Sequence, residues 1–151
     1  MKGAFKAVCV AALLVTGVAG ADVGREEKLA EAVRQFAVQL EGEWQQCLKN
    51  PTTRTTNDSE HCALAMLQAA NDAVKHKYQE KLARTQQDAE QKLLPKDVPA
   101  ILTKAQEAWE QYVKTDCAAV GALVTGTAST TYQLVCEYKH QIQRLHALDE
   151  W

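Results

Sequence analysis

The sequence predicts an all-α fold, an antiparallel bundle of about four helices stapled by two disulfides. Apolar residues recur every three or four positions along most of the chain, the spacing of one helical face. The 151 residues include only 7 Gly and 3 Pro, too few turn formers for a many-stranded β architecture. Four cysteines beyond the N-terminal segment fall into two pairs, each bracketing one predicted turn.

The chain opens with a targeting signature. Lys2 and Lys6 precede a short apolar core, Ala7 to Val18, and Ala19-Gly20-Ala21 supplies the small-x-small pattern of a signal-peptidase site. Cleavage is expected after Ala21, so residues 1–21 are a signal peptide and the mature chain starts at Asp22. Cys9 leaves with the signal and lies too early for a lipid-acceptor cysteine. No later apolar run is long enough to span a bilayer, so no membrane span is expected after cleavage. Losing Lys2 and Lys6 leaves 15 of the 17 basic residues against 19 acidic ones, a mature net charge of −4. That balance gives no electrostatic case for nucleic acid and a modest one for a cationic partner. Cys47, Cys62, Cys117 and Cys136 remain, and in an exported chain four cysteines read as two disulfides with three possible connectivities.

The first helix is expected from Arg25 to Leu48, on the stripe Leu29, Val33, Phe36, Leu40, Trp44 and Cys47. Asn50-Pro51 ends it, since proline cannot donate into the helical ladder. The second is expected from Ser59 to Leu94, with Asp58 or Ser59 as its cap and the stripe Ala63, Leu67, Ala70, Val74, Tyr78, Leu82, Ala89 and Leu93. Pro95 breaks it. Asp97 is a natural N-cap for a third helix over Val98 to Val124, with Pro99 tolerated in the first turn. Trp109, Tyr112 or Val113, Cys117 and Val120 share its inner face. A Gly/Thr/Ser loop from Gly121 to Thr131 follows, then a fourth helix from Thr130 to Glu150, with Asp149 to Trp151 expected to fray. In this layout the least disruptive disulfides join neighbours across each turn, Cys47–Cys62 and Cys117–Cys136. Each closes a loop worth about 3 kcal/mol by the chain-entropy model.

No enzyme is expected. The chain lacks G-x-S-x-G, a Walker loop, H-E-x-x-H and C-x-x-C. His61 and Cys62 are adjacent on a helix and point apart. His140 and His146 are six residues apart, a poor spacing for shared metal ligation, and neither a metal nor a cofactor is expected. The better candidate for recognition is the hydroxyl-rich loop beside a disulfide, with Gly126, Thr127, Ser129 and Tyr132 as partner-binding residues. Rigid anchoring lowers the entropic cost of binding there.

The pattern Gln106-x-x-Trp109-x-x-Tyr112-x-x-x-Asp116-Cys117, then Gly126-Thr127, then Cys136 with Arg144 eight residues on, resembles the LprI-type lysozyme-inhibitor domain. Cys47, Cys62 and the Val74, Tyr78, Leu82 helix are similar to the family's earlier part, although Lys75 stands where the family usually has Asn. The resemblance covers about Cys47 to Leu148. With the signal peptide at residues 1–21 set aside, it leaves residues 22–46 as a helical extension and residues 47–151 as the LprI-like domain. It implies a periplasmic or secreted, non-enzymatic binding protein that inhibits lysozyme, and the acidic mature charge suits a cationic one. The competing readings are a cell-envelope structural or stress-related interaction module without lysozyme contact, and a bundle holding a small ligand in its core.

Overall fold

The computed structural model describes residues 19–151, with side chains described from Gly24 onward. Residues 1–18, which carry most of the expected signal peptide and Cys9, lie outside the described residues. Four helices follow in order: α1 Ala19–Leu48, α2 Thr56–Glu90, α3 Val98–Leu123 and α4 Ser129–Glu150. No strand occurs among the described residues. The four expected helices are all present, and their ends differ from expectation in ways that matter for the site.

The α1 stripe forms as its spacing requires. Val33 and Leu40 are buried, and Phe36 and Trp44 pack against them from partly buried positions. The described part of the helix already includes Ala19, six residues ahead of the expected Arg25. Asn50 Oδ1 then accepts from the backbone N–H and the hydroxyl of Thr52, closing the turn after Leu48.

Helix α2 starts three residues earlier than Ser59, and its cap is Thr55. Thr55 Oγ1 accepts from Asp58 N–H, while the Asp58 carboxylate reaches back to the N–H groups of Arg54 and Thr55. Asp58 is thus the third helical residue of a capping box and not the cap itself. The backbone N–H of Arg54, more than any other contact, holds the Asp58 carboxyl below the usual aspartate value. Its contribution is therefore full above that usual value and is lost as pH falls through the lower folded one. Thr55→Ala is expected to cost about 1 kcal/mol in a denaturant titration at neutral pH. The gap between variant and parent should narrow on acidification, and a pH-independent gap would rule out the reciprocal cap.

The far end of α2 corrects the expected stripe. The helix stops at Glu90, four residues short of Leu94, and Lys92 takes a left-handed φ of 61°. Pro95 disfavours helical backbone at Leu94, so the chain leaves the helix ahead of it. Leu93, expected to face the core, is 69% exposed. Met66, absent from the expected stripe, is buried with Leu67 and Ala70. At the start of α3, Asp97 occupies the N-cap position without making a side-chain cap bond.

Helix α4 touches all three other helices, and α1 and α3 flank the α2–α4 pair without contacting each other. Ala63 and Ala70 are fully buried and let backbones approach closely. One part of the core gathers Leu40, Met66, Leu67, Ala70 and Tyr138, and the other gathers Val33, Val74, Leu145 and Leu148. Phe36 and Ile142 pack against both and join them. Tyr138 brings a hydroxyl into this interior and points it at the Ala37 carbonyl and the Glu41 carboxylate of α1, 3.2 Å from each. Burial, then the Glu41 charge, pushes the Tyr138 phenol above its ordinary range, so it stays a donor.

Candidate functional site at the stapled end of the bundle

Cys47 pairs with Cys62 and Cys117 with Cys136, at Cα–Cα distances of 5.8 and 5.5 Å. Both distances suit unstrained bridges, and both pairings are the expected ones. The α1–α2 and α3–α4 turns lie at the same end of the bundle. Across that end, the hydroxyls of Thr56 and Thr127 meet at 3.3 Å. Two covalent staples and two short turns therefore converge on one surface.

The α3–α4 turn is shorter than its Gly/Thr/Ser composition implied. Helix α3 runs through Gly121 to Leu123, and α4 starts at Ser129, so the linker is residues 124–128. Gly121 does not break the helix. A Cβ there would stand 3.3 Å from the Gln133 Cβ, so glycine is present to let α3 and α4 approach. Ser129 donates to the Gly121 carbonyl at 2.7 Å and is half-buried, not free. Gly126 is the residue the turn demands, with a φ of 87° that β-carbon-bearing residues rarely adopt.

Of the residues expected to bind a partner, Gly126, Thr127 and Tyr132 are exposed, and Ser129 packs inward. The tip also presents Leu123, 85% exposed and the most exposed large apolar side chain among the described residues. Sequence reasoning passed over Leu123. Its signal is positional: Val113, Cys117 and Gly121 mark the buried face of α3, and Leu123 falls off that face.

The motif residues of α3 and α4 separate into two clusters along their seam. In one, Arg144 is only 7% exposed and donates through Nε and Nη2 to a single atom, Gln106 Oε1, at 3.1 and 2.9 Å. Gln106 passes its own Nε2 hydrogen to Glu110. The guanidinium lies between the rings of Trp109, at 5.3 Å, and Trp151, at 4.2 Å. Lys81 donates to the Trp151 carbonyl at 2.8 Å, so the chain's last residue is held where fraying was expected. Burial lowers the Arg144 pKa, with Tyr78 and Glu110 opposing. A groove of ≈ 480 Å³ opens beside this stack, lined by Asn71, Tyr78, Gln79, Gln106, Trp109 and Gln141 among others.

In the other cluster, His140 Nε2 lies 2.9 Å from Asp116 Oδ2, next to the Cys117–Cys136 bridge. Tyr112, expected as an alternative to Val113 on the inner face, is exposed and stands edge-on to His140 at 5.4 Å. Val113 and Cys117 take the buried positions. His146 is apart from this group, near Glu150 on the surface. Among the described residues no helix is long and apolar enough to cross a membrane.

The stapled end, Arg144 with Trp109 and Gln106, and the Asp116–His140 pair all fall within one recognisable module, and Trp151 lies just beyond it. A family model described as Lysozyme inhibitor LprI matches residues 47–148, more than half of the chain and inclusive of all four bridged cysteines. No curated protein and no solved structure matches. The chain belongs to the LprI lysozyme inhibitor family.

Proposed function

We propose that this protein is an exported, non-enzymatic binding protein that inhibits a lysozyme. In this reading residues 1–21 are a removed signal peptide, residues 22–46 an extension, and residues 47–151 the inhibitory module acting in the periplasm or outside the cell. The carrying observation is the doubly stapled end with its exposed Leu123, Gly126, Thr127 and Tyr132. An inhibitor must enter or cover a cleft built for sugar rings, and a short projecting turn suits that better than a flat helix face. The Cys117–Cys136 disulfide ties together the two helices that flank the turn, so little entropy is lost on docking. Leu123 and Tyr132 supply apolar area, and the tyrosine hydroxyl and Thr127 supply polar contacts. The net charge of −4 expected for the mature chain steers it toward a cationic enzyme.

The test is muramidase inhibition by the purified mature chain. Thr127→Arg combined with Tyr132→Ala should weaken inhibition at least tenfold, about 1.4 kcal/mol of binding. Melting temperature should stay near that of the parent, since both positions are exposed. Ser129 is left intact because its hydroxyl bonds the α3 backbone. A double variant as potent as the parent would move the site elsewhere. A parent that inhibits no lysozyme would favour an envelope interaction module.

A further inference from the structure

Asp116, Cys117, Cys136 and His140 each offer one ligand atom, and all four atoms lie within 4.8 Å of one another. Among the described residues this is the only group of its kind, and none surrounds Cys47–Cys62. The set spans two helices. Asp116 and Cys117 close one side, and Cys136 and His140, four apart on α4, present from the other on a single helical face. Two sulfurs, one imidazole and one carboxylate are a donor set that suits tetrahedral Zn²⁺. Bond lengths of about 2.0–2.3 Å place such ligands roughly 3.3–3.8 Å apart, within reach of these side chains by small rotations. Cys117 is fully buried, Cys136 and His140 are partly so, and Asp116 lies at the solvent side of the group. Tyr112, edge-on to His140, limits the freedom of the ring.

We propose that this cluster is a zinc site gated by the disulfide: the oxidised chain holds α3 to α4 through sulfur–sulfur bonding, and the reduced chain holds them through Zn²⁺. A dithiol reductant breaks the Cys117–Cys136 bond, is itself oxidised to a disulfide, and leaves one proton on each Sγ. Zn²⁺ then displaces those two protons and takes two thiolates, the neutral His140 ring and the Asp116 carboxylate, forming a closed site with no open position. The same seam is therefore fastened whether or not the compartment has oxidised it. The Cys47–Cys62 pair lacks the imidazole and carboxylate and has no such second state.

Co²⁺ titration of protein reduced with a phosphine, which competes little for metal, tests this. One ion per chain should bind with a near-ultraviolet thiolate-to-cobalt band and tetrahedral visible bands, and Zn²⁺ should displace it. Protein with both disulfides intact should show neither band. The Cys47→Ser/Cys62→Ser variant should bind like the reduced parent, and Cys117→Ser/Cys136→Ser should not bind. His140→Ala should bind at least tenfold more weakly. If reduction melts α3 and α4, circular dichroism should recover helix on adding Zn²⁺. Absence of the thiolate band in the reduced parent, undiminished binding by His140→Ala, or helix that Zn²⁺ fails to restore would each overturn the proposal.

Discussion

Gln106→Leu is expected to destabilise the protein by about 3 kcal/mol, more than the loss of one ordinary hydrogen bond. Both hydrogen bonds from the buried Arg144 guanidinium go to Gln106 Oε1, and no carboxylate among the described residues forms an ion pair with it. Removing the acceptor leaves a desolvated cation between two indole rings with nothing to receive its protons. Removing the cation is a different matter. Arg144→Met keeps much of the packing volume between Trp109 and Trp151, and leaves only a neutral amide short of a partner. Combining Gln106→Leu with Arg144→Met removes both sides of the contact. The double variant should therefore be closer to the parent than Gln106→Leu alone. Urea unfolding of all four proteins measures this. Additive losses would mean that the two side chains do not depend on each other.

Leu148→Ala is expected to cost about 2–5 kcal/mol. Leu148 is wholly buried on α4, clustered with Val33 of α1 and Val74 of α2 as well as Leu145 of its own helix. Three helices meet at this side chain, so none can close the cavity without drawing away from another. Leu123→Ala removes the same atoms from a position 85% exposed and should leave the unfolding midpoint nearly unchanged. A small loss at Leu148 would mean that the bundle repacks there.

What the sequence made legible was the periodic part of the fold. Val33, Leu40, Leu67, Ala70 and Val74 were recoverable because their spacing repeats over many turns and one face must be buried. The disulfide pairing was recoverable because short turns force neighbouring helix ends together. Helix ends were harder, since they depend on competing local interactions. Asp58 looked like a cap and proved to be the partner of one, because Thr55 has the same capping chemistry three residues earlier. Gly121 looked like a break, although a glycine that opens a turn and one that lets a helix approach are identical in a string of letters. That ambiguity inflated the candidate loop and concealed Ser129's inward bond. Tyr112 and Val113 both fit the α3 stripe, and only the position of α4 decides which is buried. Arg144's burial was illegible for a similar reason: its acceptor lies 38 residues away on another helix.

Both sulfur bridges are local, each closing a single helical hairpin and neither crossing between α1–α2 and α3–α4. Covalently, then, the described chain is two cross-linked hairpins joined by residues 91–97 alone. Everything else between the halves is non-covalent: packing, chiefly α4 against α2, hydrogen bonds from Tyr138 to α1 and from Lys81 to Trp151, and the Lys77–Asp149 ion pair. In the terms of quaternary structure, this is a heterodimer whose two subunits share one peptide tether. A single proteolytic cut in 91–97 would leave the partners intact and their interface whole, and would turn an intramolecular fold into a bimolecular equilibrium.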